Sequence, residues 1–186
     1  MRKPNSALRT REYLLESEIN LMLEAARKSK RYPHRNYCLV LLMFRHGLRV
    51  SEASFLEWSQ IDLDSETIYV RRLKGSKAST HPLKTIEIMA LKLLERTNQN
   101  PYVFLSERNQ PLARRTIQYI IKDLGQRANL GFPTHPHMMR HACGYRLAND
   151  GIDTRAIGEY LGHTQMQSTV IYTELSPHRF DNFFED

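Results

Sequence analysis

From Ser17 the apolar positions fall at helical spacing, with Ile19, Leu21, Met22, Leu23 and Ala26 on the inner side and Ser17 placed as the cap. A second helix is expected from about Pro33 to His46, with Pro33 in its first turn and Gly47 as a left-handed stop. Its centre, Cys38 to Phe44, is apolar on nearly every side, which marks a helix running through a core. Ser51 is expected to cap a short helix with Glu52 in its first turn. The period then changes. Thr67-Ile68-Tyr69-Val70 is β-branched and aromatic, Gly75-Ser76 is a turn signal, and Ala78 to Leu83 can return as a second strand. The pair reads as a hairpin with Lys74 at its tip. Helical patterns resume over Thr85–Arg96 and Arg114–Ala128, and from Pro136 to a stop at Gly151. A helix capped by Asp153 ends at Gly162, and a last one covers Gln167 to Tyr172. The fold class is mainly α with a small antiparallel β-sheet, an α+β arrangement.

The 186 residues suit one domain with a real core, and no internal repeat or low-complexity linker divides them. A composition of 41% hydrophobic and 25% charged residues excludes a disordered chain. The longest apolar run is the seven residues Cys38 to Phe44, against the ~20 that a membrane span needs. The basic start is followed by no apolar stretch of signal-peptide type. Cys38 and Cys143 suggest neither a disulfide framework nor a cysteine zinc cage, which fits a reducing cytoplasm.

Lys and Arg number 27 against 20 Asp and Glu, a net charge of +7, and the excess is segregated. Residues 1–11 carry Arg2, Lys3, Arg9 and Arg11 without an acid. Arg27, Lys28, Lys30, Arg31, Arg35, Arg45 and Arg49 fill the acid-free interval from Glu24 to Glu52, and Arg71, Arg72, Lys74, Lys77 and Lys84 follow Glu66. Any one block reads as a solvated face; three in one small domain favour a nucleic-acid partner.

Several residues carry chemistry. On a helix from Pro136, His137, Arg140 and His141 share one face, where a guanidinium fork and two imidazoles suit a phosphate. A polar surface face is the plainer explanation. His135, His137, His141 and His163 could be offered as zinc ligands, but Arg140 opposes a cation and no carboxylate is near in sequence. His163 follows the helix stop at Gly162, and Tyr172 comes nine residues later. A tyrosine there is either a packing residue or a nucleophile that needs neighbouring cations, because its ordinary pKa is about 10. Arg49 sits in a turn between two helices, with Glu52 placed to orient it.

In order, these residues resemble the tyrosine recombinase (lambda integrase) family: Arg49, Lys74, His137-Met-Met-Arg140, His163 and Tyr172. The flanking text Gly47-Leu48-Arg49-Val50-Ser51-Glu52, Leu161-Gly162-His163-Thr164 and Ile171-Tyr172-Thr173 is similar too, as are the intervals of 23 residues from Arg140 to His163 and nine to Tyr172. The resemblance spans roughly Ser17 to Ser176. Asn36-Tyr37-Cys38, Thr80-His81-Pro82-Leu83, His135-Pro136-His137-Met138 and Gly151-Ile152-Asp153-Thr154-Arg155 look like the short fimbrial phase-variation recombinases, which invert a promoter segment and lack a separate N-terminal core-binding domain.

The resemblance implies the catalytic-domain fold of that family over residues 15–176, after a basic arm at 1–14 and before a tail at 177–186. It implies that Tyr172 forms a 3′-phosphotyrosyl link and that Arg49 and Arg140 clamp the non-bridging oxygens. Lys74 becomes the general acid at the 5′-oxygen, His137 assists the tyrosine's proton transfer, and His163 bonds a phosphate oxygen. Glu52 and His141 are supporting residues. Neither ATP nor metal is required. The expected partner is double-stranded DNA with inverted-repeat sites, touched by Arg2, Lys3, Arg9, Arg11, Arg45, Arg71, Arg72, Lys77, Arg114 and Arg115. Synapsis takes four protomers, with accessory DNA-bending proteins and no membrane, on a bacterial nucleoid in the cytoplasm; the free protein's state, monomer included, stays open. Phe180, Phe183 and Phe184 are placed either to contact a neighbouring protomer or to fold back on their own core. Rival readings are a catalytically silent DNA-binding regulator, a type IB topoisomerase-like relaxing enzyme and a metal-dependent nuclease.

Overall fold

The computed structural model describes residues 12–72, 76–96 and 99–175. Its helices are α1 (Glu16–Arg27), α2 (Pro33–Arg45), α3 (Val50–Ser54), α4 (Thr85–Glu95), α5 (Arg114–Arg127), α6 (Pro136–Asn149), α7 (Thr154–Leu161) and α8 (Gln167–Leu175). The strands β1 (Ile61–Asp62), β2 (Thr67–Val70) and β3 (Ser79–Pro82) form one antiparallel sheet in the order β1-β2-β3. No described helix is long and apolar enough to cross a membrane.

α2 is the axis of the core. Every residue from Asn36 to Phe44 is buried, and the helix packs against α1, α4 and α6. A helix enclosed on all sides needs apolar residues on all sides, which is what the run from Cys38 to Phe44 supplies. It ends at Gly47, whose φ of +56° is the left-handed stop expected there. Cys38 and Cys143 are both buried and unpaired with each other.

The two strands of the expected hairpin are present, with Ile68 opposite His81 and Val70 opposite Ser79. β2 alternates as a half-buried strand should: Ile68 and Val70 point in, Tyr69 out. The hairpin tip at Lys74 and Gly75 lies outside the described residues. β1 went unforeseen, since two residues cannot display an alternation. α8 runs past Tyr172 to Leu175.

Two caps differ from expectation for one reason. Ser17 and Ser51 lie inside their helices, and a glutamate one residue further on makes the cap contact instead. Glu18 Oε2 accepts the Leu15 N–H at 2.8 Å, and Glu52 Oε2 accepts the Arg49 N–H at 2.8 Å. A carboxylate in the third helical position reaches back to an orphan N–H and also meets the positive end of the helix dipole. Asp153 caps α7 as expected, accepting from the Arg155 and Ala156 N–H groups at 2.9 and 3.0 Å.

A smaller cluster of Cys143, Ala148, Ile157, Leu161 and Tyr172 packs between α6, α7 and α8, beside the main core. Because Leu42 is fully enclosed in α2, Leu42→Ala is expected to lower unfolding free energy by about 2–5 kcal/mol. Urea denaturation should show the midpoint moving with little change in slope.

Candidate active site

Three guanidinium groups gather around one carboxylate, and two of them bind it. Arg49 enters from the N-terminus of α3, Arg72 from just beyond β2 and Arg140 from the second turn of α6. Glu52 takes Arg49 Nη1 on Oε1 at 2.8 Å and Arg72 Nη1 on Oε2 at 2.6 Å. Arg72 Nη2 also donates to the carbonyls of His46 (3.1 Å) and Tyr160 (2.8 Å). Arg140 donates from Nη1 to the Gly47 carbonyl at 2.7 Å and from Nη2 to the Leu161 carbonyl at 2.5 Å. All four acceptors lie at the C-terminal ends of α2 and α7, where the helix dipole is negative. Arg49 remains one-third exposed and also donates to Ser76 Oγ at 3.3 Å.

The balance is three cations to one anion, and Arg140 and Arg72 are almost wholly buried. Burial pushes the Arg140 guanidinium down to about 10, aided by the charges of Arg49 and Arg72 and opposed by Glu52. It stays charged at neutral pH. Burial alone would raise the Glu52 carboxyl, but Arg72 and Arg49 together hold it below its ordinary value.

His137 and His141, one helical turn apart on α6, meet edge to face with centroids 4.3 Å apart. Tyr172 is brought over them by α8. Its hydroxyl lies 3.0 Å from His141 Nδ1, and its ring lies alongside that of His163 at 6.2 Å. His163 Nδ1 is held by Thr169 Oγ1 at 2.8 Å. Burial, then neighbouring positive charge, pushes His163 down to about 4. Burial likewise brings His141 to about 4, with His137 the largest charged contributor. His137 is lowered too, by desolvation and then Arg140. Burial pushes Tyr172 up to about 12, with Arg140 pulling the other way. At neutral pH the site is cationic through its arginines, while its imidazoles are neutral and able to accept protons.

Behind the arginines lies a polar network that sequence reasoning missed. His46 Nε2 is 2.8 Å from Glu87 Oε1, and His46 Nδ1 is 3.1 Å from His81 Nδ1. The His81 ring stacks on Tyr160 at 3.6 Å, and the Tyr160 hydroxyl donates to the Arg45 carbonyl at 2.9 Å. It ties α2, β3, α4 and α7 together. Burial, His46 and Arg72 push His81 down to about 3. Among the described residues no group of three or more His, Cys, Asp or Glu side chains is placed to hold a metal ion.

The structure thus brings together Arg49, Glu52, His137, Arg140, His141, His163 and Tyr172. Lys74 lies outside the described residues, as do Arg2, Lys3, Arg9, Arg11, Phe180, Phe183 and Phe184. Arg71, Lys77, Arg114 and Arg115 are exposed. Arg45 is half-buried, with Nη1 3.4 Å from Glu87 Oε2. The expectation that Arg72 contacts DNA is corrected: its side chain is buried and committed to Glu52 and backbone carbonyls, as the beam of the arginine cluster. Strand parity carries that signal, since Arg72 follows Ile68 and Val70 by steps of two. The imidazole on the Tyr172 hydroxyl is His141, with His137 behind it.

Glu52→Gln should lower stability at neutral pH by about 3–5 kcal/mol, because it strips a buried cation of its partner. The Glu52 carboxyl is held below its ordinary 4.5, so its contribution is complete above that value and lost as pH falls through the lower folded one. Urea titrations should therefore show the variant losing less stability than the wild type on acidification below pH 4.5. A Cβ at Gly144 would stand 2.6–2.7 Å from three carbons of the Tyr172 ring. Gly144→Ala should displace that ring and raise the accessibility of Tyr172 to nitration, measured by peptide mass.

The sequence profile described as the phage integrase family matches residues 12–179. The type 1 fimbriae regulatory protein FimB of Escherichia coli (strain K12) is 47% identical over 178 residues, covering 91% of this chain and 88% of that protein. FimE of the same strain is 40% identical, covering 94% and 91%. The tyrosine recombinase XerC of Bacillus subtilis (strain 168) is 30% identical over 97% of this chain and 62% of its own. Among solved structures, XerA recombinase superposes with a TM-score of 0.80 at 29% identity, covering 98% of this chain and 68% of that one. The XerH site-specific recombinase bound to a palindromic difH substrate, in a post-cleavage complex, gives 0.77 at 26% identity, covering 92% and 52%. With its arginines, histidines and tyrosine assembled in one site, this chain belongs to the phage integrase family.

Proposed function

We propose that this protein cuts and rejoins duplex DNA through Tyr172, inverting a promoter segment that governs fimbrial phase variation. The chain is a site-specific DNA recombinase of the tyrosine type. The fimbrial assignment follows its similarity to FimB and FimE. One observation carries the chemistry: an arginine cluster with one carboxylate for three cations, beside a buried tyrosine hydroxyl. Such a site lacks an anion, and a phosphodiester supplies it.

Arg49 and Arg140 take the non-bridging oxygens. Arg140 spends one hydrogen each of Nη1 and Nη2 on carbonyls, which leaves three of its five N–H donors. The Tyr172 oxygen attacks phosphorus, the bond to the 5′-oxygen breaks, and Lys74 protonates that leaving oxygen. His163 donates to a phosphate oxygen. The broken bond's energy is kept in the phosphotyrosine, so rejoining needs no ATP. Exposed Arg71, Lys77, Arg114 and Arg115 meet backbone phosphates, with the basic residues of the first eleven positions adding to them. Four protomers around two inverted repeats complete the exchange, with DNA-bending helpers on the bacterial nucleoid.

Incubation with a nicked suicide duplex in EDTA should give a covalent adduct on a denaturing gel. Tyr172→Phe should abolish it, and Arg49→Ala should slow its formation about 10²–10³-fold, the usual loss for one transition-state donor. Binding without any adduct would leave a DNA-binding regulator as the better reading. Relaxed circles without inversion on a plasmid with paired sites would point to a topoisomerase.

A further inference from the structure

Among the described residues the Tyr172 hydroxyl has one hydrogen-bond partner, His141 Nδ1 at 3.0 Å. The other two imidazoles are placed differently. His163 lies alongside the phenol ring, its Nδ1 engaged by Thr169. His137 meets the His141 ring edge to face and feels the charges of Arg140, Glu12 and Arg49. The fold fixes the contact from both sides. His141 projects from α6 one turn beyond His137, and the Tyr172 ring lies against Gly144 of the same helix, where a side chain would collide with it.

We propose that His141 is the general base of strand cleavage, taking the Tyr172 phenolic proton as the oxygen bonds to phosphorus. This rests on the reading of Tyr172 as nucleophile. The O–H bond breaks and an Nδ1–H bond forms, so the imidazole becomes an imidazolium. The phosphorus–oxygen bond to the 5′ side breaks with its electron pair, and the leaving oxygen takes its proton from the acid on its own side. Rejoining returns the proton from His141 to Tyr172. Nδ1 can accept only while the ring is neutral with its proton on Nε2.

The surroundings keep it so in the resting protein. Burial dominates, the fixed charge of Arg140 opposes a further positive charge, and Glu12 favours one. A phosphodiester seated between Arg49 and Arg140 brings the negative charge that makes an imidazolium tolerable here. Base and substrate are thereby coupled: the proton acceptor becomes competent when the scissile phosphate arrives.

The test is single-turnover cleavage by the full-length protein. His141→Asn keeps an acceptor oxygen near the Nδ1 position but cannot hold a proton. It should cleave about 10²–10⁴-fold more slowly than wild type, the span usual for lost general-base catalysis. Its acid-side pH dependence should flatten, while duplex binding and thermal melting stay at wild-type values. The same defect should persist on a duplex with a 5′-bridging sulfur, whose thiolate leaves without a proton. His141→Ala should regain cleavage on adding imidazole, in proportion to the neutral fraction. Cleavage by His141→Asn within about threefold of wild type would overturn the proposal, being far short of that span. So would a defect that the bridging sulfur erases, since His141 would then act on the leaving group. Failure of wild type to form a Tyr172-dependent adduct would instead sink the nucleophile assignment, and that control is read before any His141 variant.

Discussion

The carbonyls of His46, Gly47, Tyr160 and Leu161 all end on two buried guanidinium groups, and a third guanidinium shares the carboxylate of Glu52 with one of them. A buried cation without partners costs several kcal/mol, so this arrangement dictates much around it. α2 and α7 must end facing the same point. Gly47 must turn left-handed so that its carbonyl serves both Arg140 and Arg72. β2 must hold its parity so that Arg72 follows Ile68 and Val70 inward. The His46, His81, Glu87 and Tyr160 network braces the helix ends that supply the carbonyls. Within the cage, backbone dipoles share with one carboxylate the work of stabilising three charges, and a net positive field remains.

That field also sets the resting state of the chemistry. Tyr172 stands at about 12 and His141 at about 4. Proton transfer between them before substrate arrives is uphill. The protein therefore holds no standing tyrosinate. Burial causes most of this gap, raising the phenol and lowering the imidazole, because desolvation disfavours whichever form is charged. In the proposed reaction, a largely buried site rich in fixed donors gives electrostatic help where charge develops on the phosphate.

Much of this was legible in the sequence, and what was not has identifiable causes. The helical axis was readable because an apolar run unbroken from Cys38 to Phe44 has one stable location. Arg49, Arg140, His163 and Tyr172 were readable through motif order. The cap contacts at Glu18 and Glu52 were obscured by neighbouring serines, which are strong capping residues in isolation; a carboxylate that reaches back and meets the dipole prevails. The basic block around Arg72 suggests a surface charge, whereas strand parity turns it inward with Ile68 and Val70. The His141 contact depends on how α8 crosses α6. The close approach at Gly144 sets that crossing, and no local spacing reports it.

The two halves of the site rest on different parts of the fold. The arginine cage draws on α2, α3, α6, α7 and the strand end at Arg72, so most of its framework belongs to the main core, whose loss would unfold the chain. Tyr172 belongs to the smaller cluster, and α8 packs chiefly on α6 and α7. Displacing α8 exposes a few side chains and breaks the Tyr172–His141 contact, yet leaves the bonds of Arg49, Arg72 and Glu52 intact. Stability is therefore distributed unevenly across the site, as local opening requires. The arginine cage and the proposed nucleophile, Tyr172, rest on different clusters of the core. In the proposed reaction Tyr172 is joined to DNA and later released while the phosphate stays in register, and a cage anchored mainly in the larger cluster suits that requirement.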